Sequence, residues 1–279
     1  MSAQNILALG ASKNIGYFAA IRLLGELDAG ATVTFLLRNP TVFDEDETIK
    51  KAVAAGKAFL VKGDGLNQDD VARAWAEATS HGHVDTLLFT VGGVPKGFSL
   101  TKGFIIEPHN LVTQCLLNTL CTIPKDAPQP RIVVVSSIGL TKRSHSSLPL
   151  IFKPLYAHAL AMPHRDKLGV ERVLAHCAGL PWDASEEEPA DDIVGAGWRE
   201  RQGLPGPGEL KQVLIVRPAL LTDGECKADK KKEGREPYRA EEKELGGYTI
   251  SRKDVGHFIF KAVTTDWNKY GGKIINVGY

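Results

Sequence analysis

Short uninterrupted apolar runs recur along the chain, separated by longer stretches in which apolar residues return every three or four positions. The runs fall at Asn5–Leu9, Thr32–Leu37, 58–61, Thr86–Phe89, Arg131–Val135, 213–216 and 273–277. A run without polar alternation predicts a strand covered on both faces, as in a parallel sheet. The stretches between them predict helices over 15–28, 69–79, 111–122, 163–176 and 251–264. Such alternation predicts an α/β fold with a doubly wound, mostly parallel sheet flanked by helices. Local signals agree. Gly30 suits a left-handed cap after the first helix. Ser251, with Asp254 three residues on, predicts a capping box. Pro163 suits a first helical position, where its missing N–H has no partner to lose.

Two stretches break the pattern. Residues 176–210 contain EEEPADD and GLPGPGE, a composition that predicts a surface excursion before the sixth strand. Residues 224–247 contain KADKKKEGREPYRAEEKE, which reads as a solvated loop or frayed helix, with a flap over a pocket as the sharper alternative. One domain is expected over 1–279, with a small substrate-side region from 176–212 and 224–250. A chain of 279 residues can bury a sizeable core without cross-links. The net charge of +1 provides no global field for nucleic acid. The cysteines, Cys115, Cys121, Cys177 and Cys226, form no CxxC pair, so neither a metal site nor a disulfide framework is expected. The opening MSAQN lacks a charged segment followed by an apolar one, and no apolar stretch nears the roughly 18 residues that span a bilayer. A soluble, cytoplasmic protein without a membrane partner is expected, its oligomeric state left open.

The most informative segment is NILALGASKNIGYFAAIRLL. A strand ends at Leu9, Gly10-Ala11-Ser12-Lys13-Asn14-Ile15-Gly16 makes the turn, and a helix follows. Gly10 permits the turn and Gly16 lets helix and strand approach closely. The helix start then aims unpaired N–H groups at a pyrophosphate. Ser12 and Asn14 can add hydrogen bonds. This segment resembles the TGxxxGxG motif of the short-chain dehydrogenases/reductases, keeping the first and last glycine but carrying Leu9 for the threonine and Asn14 for the middle glycine. Those departures point to the atypical, NmrA-like branch. The resemblance implies a Rossmann sheet binding NADP(H).

Cofactor choice rests on the second strand, TVTFLLRNP. NAD sites place an acidic residue at its end to hold the ribose 2′-hydroxyl. Here Arg38 stands there instead, and a guanidinium suits a 2′-phosphate. Lys13 adds a second positive charge on the same side. Three further segments match the family in chain order. The resemblance implies that Asp64 contacts adenine, that Thr90, Val91, Gly92 and Gly93 pass the adenosine ribose, and that Pro218, Ala219 and Leu220 lie along the nicotinamide carboxamide. Ile15 belongs to the phosphate turn.

Ser136 and Ser137 end the fifth strand. In the family the second serine of such a pair faces the substrate carbonyl, which assigns that role to Ser137, and Ser136 to the cofactor side. Lys167, with Glu171 four residues on, resembles the end of the family's YxxxK helix and would bind the nicotinamide ribose. The tyrosine position holds Pro163, so the usual phenolic donor is absent. His164, three before Lys167 and on the same helix face, and Tyr156 upstream are candidate substitutes. Solvent or cofactor hydroxyls are the alternative proton source. The reading is an NADPH-dependent oxidoreductase that reduces a small carbonyl, quinone or conjugated acceptor. The alternatives are an NADP(H)-sensing regulator without turnover and non-redox chemistry on the same scaffold.

Overall fold

The computed structural model describes residues 4–26, 30–99, 103–146, 158–183, 185–186, 188–230, 236–246 and 248–279. In chain order the first half contains β1 (Asn5–Leu9), α1 (Asn14–Glu26), β2 (Thr32–Leu37), α2 (Glu47–Ala54), β3 (Ala58–Lys62), α3 (Gln68–Ser80) and β4 (Thr86–Phe89). A hairpin of β5 (Gly97–Ser99) and β6 (Gly103–Ile105) precedes α4 (Leu111–Cys121), β7 (Arg131–Val135) and the short α5 (Lys142–Ser146). Then come α6 (Ala161–Ala178), α7 (Asp191–Val194), β8 (Val213–Pro218), β9 (Leu220–Thr222), β10 (Arg239–Glu241) and β11 (Thr249–Ser251). Helices α8 (Arg252–Thr264) and α9 (Trp267–Tyr270) lead into β12 (Lys273–Gly278).

The main sheet runs β10-β12-β8-β7-β4-β1-β2-β3. Its strands are parallel except β10, which lies antiparallel on the edge of β12. This is a Rossmann α/β sheet. Alternate residues of β1 face opposite layers. Ile6 and Ala8 pack with Ala19, Leu23, Phe258 and Ile259 of α1 and α8. Leu7 and Leu9 pack with Trp75, Leu116, Leu117 and Leu174 of α3, α4 and α6. Both faces are therefore core, which is why the strands read as unbroken apolar runs. Burial of a large aliphatic or aromatic side chain contributes roughly 1.5–3 kcal/mol, so these two layers hold the sheet together.

All seven expected strands form. Helix α2 was not anticipated. It starts where the Asp46 side chain accepts from the N–H groups of Thr48 and Ile49, both at 3.0 Å. Helix α6 begins two residues earlier than expected, so Pro163 occupies its third position. That is still in the first turn, where no N–H need be satisfied. Gly30 has the left-handed conformation, φ 80°. Ser251 caps α8 by accepting from the Asp254 N–H at 3.0 Å, but the return bond does not form. The Ser251 N–H donates to the Tyr279 hydroxyl instead, at 3.1 Å, while the Asp254 carboxylate accepts from Tyr279 and from the N–H groups of Lys227 and Ala228.

The excursion over 176–212 is less superficial than its composition implies. Ile193, Val194, Trp198 and Leu210 are buried against the α4–α6 layer. Within 224–247, residues 239–241 are the antiparallel edge strand, and none of the described residues 224–246 lines the main cleft.

Candidate active site

The chain leaves β1 for β2 on one side and returns through β3 to β4 on the other. This reversal opens a crevice at the carboxyl ends of β1 and β4, the place where open α/β sheets gather ligands. The crevice is a cleft of about 950 Å³.

Its floor is the turn after β1. Gly10 has φ +79°, and a Cβ there would stand 2.4 Å from the Val91 nitrogen. A Cβ on Gly16 would stand 2.2 Å from Thr90 Oγ1 and 2.8 Å from Ala11 Cα. Both positions therefore demand glycine, one for close passage of the strand ends and the other for seating α1 on the sheet. Asn14, which replaces a glycine of the family motif, has φ 58°. Asparagine is among the few side chains that adopt this left-handed conformation readily. Ser12, Lys13, Asn14 and Ile15 line the cleft, while Gly16 lies beneath it.

Arg38 and Lys13 line one end of the cleft with Leu36, Leu37 and Asn39, and no acidic side chain ends β2. Both cations are exposed. Among the described residues neither side chain takes part in a hydrogen bond or ion pair. Asp64 lines the wall beside them and caps its own turn, accepting from the Leu66 N–H at 3.0 Å. Thr90, Val91, Gly92 and Gly93 form the opposite lip. Cys115 lies at the base, its thiol pushed up to about 12 by burial and by the charges of Asp64 and Asp166.

Lys167 reaches the inner end from α6. Its Nζ donates to the Ser136 carbonyl at 2.8 Å. Burial lowers its pKa to about 8, against the opposing pull of Asp166 and Glu171. Asp166 fixes α6 against α4 by accepting from the Val112 and Thr113 N–H groups at 2.8 and 2.9 Å. Burial raises its carboxyl pKa despite these bonds. Pro163 also lines the cleft.

Several expected residues stand elsewhere. The Ser136 side chain is wholly buried and donates to Glu171 at 2.5 Å. Glu171 is itself held by Arg217, whose Nε donates at 2.9 Å. Strand parity thus turns Ser136 towards α6, and Val135 lines the cleft instead. Ser137 is half-buried but does not line the cleft. Pro218, Ala219 and Leu220 also lie off it, because the chain turns into β9 to pair with β11; Leu221 takes their place. His164 lies behind the wall, its pKa lowered to about 3 by burial, then by the charges of Lys167 and His145. Tyr156 lies outside the described residues. Sequence reasoning missed Arg252, which joins the cleft from the start of α8.

No ≥3-residue cluster suited to a metal ion exists among the described residues, the cysteines are free thiols, and no described helix is long and apolar enough to cross a membrane.

The fold is a Rossmann α/β sheet with a cleft at its carboxyl edge, and solved structures bear out the fold. The chain resembles a short-chain dehydrogenase from Burkholderia cenocepacia solved with NADP (TM-score 0.60, 14% identity, covering 99% of this chain and 97% of that one). It resembles a blue fluorescent protein from a metagenomic library solved with NADPH (TM-score 0.58, 14% identity, 99% and 97%). It also resembles the anaerobillin reductase ChuY of Escherichia coli O157:H7 (TM-score 0.57, 16% identity, 98% and 96%). No protein-family model matches the chain. Among curated proteins, reductase pytE of Aspergillus terreus is 30% identical over 155 residues, 54% of this chain. The match spans about half, 48%, of that relative's length.

Proposed function

We propose that the cleft binds NADP(H) and that the protein is an NADPH-dependent reductase of the atypical short-chain type, acting on a small carbonyl, quinone or conjugated acceptor. The observation that carries this reading is the pairing of a glycine-built phosphate floor with the exposed Lys13 and Arg38, the latter standing directly after β2 where no acidic side chain ends the strand. The residues fit the cofactor. Gly10 and Gly16 let the strand ends and the start of α1 pack closely enough to form the turn that floors the cleft, Arg38 and Lys13 suit a 2′-phosphate, and Lys167 suits the hydroxyls of the nicotinamide ribose. The curated reductase and the NADP-bound neighbours support the same reading by similarity.

When bound, the reduced nicotinamide supplies a hydride. This chain's own work is placement and proton supply. Lys167 holds its ammonium beside the Ser136 carbonyl, where it can orient a ribose and favour negative charge nearby. Pro163 offers no proton, and His164, neutral behind the wall, donates none at physiological pH without a rearrangement. With no phenol at the position of Pro163, the cleft suits acceptors that need little help from a protein acid, quinones and conjugated systems more than unactivated ketones. Oxidation of NADPH by the full chain against a panel of aldehydes, quinones, flavins and enones tests the reading. Turnover with a quinone or enone supports it. Cofactor binding with no turnover on any acceptor would instead favour an NADP(H) sensor, a reading that draws on Pro163 at the donor position.

A further inference from the structure

Arg252 has no counterpart among the motifs that single out the cleft, yet it lines the cleft with Ser12, Asn14 and Leu221. It is the first residue of α8, directly after the capping Ser251. Helices α1 and α8 lie side by side on one face of the sheet, and both start at its carboxyl edge. A Cβ on Gly256 would stand 2.7 Å from Phe18 Cβ and 3.0 Å from the Ala19 nitrogen. One helical turn earlier on each helix, Arg252 comes level with Asn14 and Ile15. That is the first turn of α1, where the phosphate turn ends. The Arg252 side chain is half-buried and its Nη1 donates to Asp223 Oδ1 at 2.7 Å. Asp223 is 87% exposed, and exposed ion pairs contribute only about 0–1 kcal/mol. The guanidinium is thus held at the rim of the cleft by a partner it can readily leave.

We propose that Arg252 is a diphosphate-binding residue, turning from Asp223 to the linked phosphates at the start of α1 when a dinucleotide enters. The inference rests on the reading of the cleft as a dinucleotide site. A diphosphate presents several oxygens to one side, and a guanidinium can donate to two of them at once. The N–H groups at the start of α1 serve the other side. The cations of the cleft then divide the ligand among them: Arg38 and Lys13 at the 2′-phosphate, Arg252 at the diphosphate and Lys167 at the far ribose. Asp223 is a placeholder that keeps the guanidinium extended along the rim.

Calorimetric titration of the full chain with NADPH, NADH, ADP-ribose and adenosine 2′-monophosphate tests this. Arg252→Ala should weaken NADPH, NADH and ADP-ribose alike, by about tenfold or more, as for the loss of a charge-assisted bond. It should leave adenosine 2′-monophosphate, which has no diphosphate, unchanged. Asp223→Ala breaks the same ion pair but keeps the guanidinium, and should tighten the three diphosphate ligands by up to about fivefold. Equal affinity of wild type and Arg252→Ala for ADP-ribose overturns the inference while leaving the dinucleotide reading intact. So does a weakening by Asp223→Ala as large as that by Arg252→Ala, because the ion pair rather than the guanidinium would then be what matters. A wild-type protein that binds none of the four ligands overturns the inference and the dinucleotide reading together.

Discussion

Lys167→Met keeps the length of the side chain and removes its charge. In the folded protein burial holds the Lys167 pKa at about 8, against an ordinary 10.5. Below pH 8 the amine is charged in both folded and unfolded chains, so the folded state bears the whole cost of desolvation. By linkage that cost is about 3 kcal/mol at most, and water in the cleft lowers it further. As pH rises through the folded pKa, the folded protein loses its proton first and the cost fades. It is gone once the unfolded chain deprotonates as well. The unfolding free energy of wild type should therefore gain on that of Lys167→Met between pH 7 and 10.5, by up to about 3 kcal/mol. Other titrating groups are shared by the two proteins and cancel in the difference. The bond from Nζ to the Ser136 carbonyl, 2.8 Å, sets the offset at pH 7 but not the slope. Urea unfolding followed by tryptophan fluorescence across that pH range provides the numbers. A difference that stays flat, or moves against the wild type, refutes the account of a desolvated ammonium at the inner end of the cleft.

Three further outcomes follow from the phosphate floor and the cofactor end. Arg38→Ala should weaken NADPH by about tenfold or more, through loss of a charge-assisted bond, while leaving NADH little changed; equal loss for both cofactors by calorimetry would refute the 2′-phosphate role. Gly16→Val places a side chain where Thr90 Oγ1 already stands 2.2 Å from an added Cβ, so it should abolish dinucleotide binding, and a folded variant with wild-type NADPH affinity would show the floor to be misassigned. Asn14→Ala should lower stability by about 1–2 kcal/mol because of the left-handed backbone, whereas Asn14→Gly should be tolerated; denaturant midpoints that rank alanine above glycine would contradict this.

The sheet was legible because its strands are covered on both faces, so each appears as an unbroken apolar run. Strand β10 was not, because it is a charged, three-residue edge with the sequence Arg-Ala-Glu. Helix α2 buries only Ile49, too narrow a stripe to stand out, although Asp46 as its cap was a readable signal. In the cleft, the parts built from backbone were legible: Gly10, Gly16 and the lip from Thr90 to Gly93. Asn14 takes the left-handed conformation at the position where the motif has a glycine. Side-chain assignments at strand ends fared differently, since one step along a strand exchanges cleft for core. Ser136 faces Glu171 for that reason, and the turn into β9 draws 218–220 away. Arg252 was invisible because it is far along the chain from the turn beside which it stands.

The central claim is that the cleft is an NADP(H) site, and direct titration of the wild-type chain with NADPH and with NADH tests it most simply. The account predicts saturable one-to-one binding of NADPH, with NADH weaker by about tenfold or more for want of the 2′-phosphate contacts. Absence of NADPH binding, or equal affinity for the two, would contradict it.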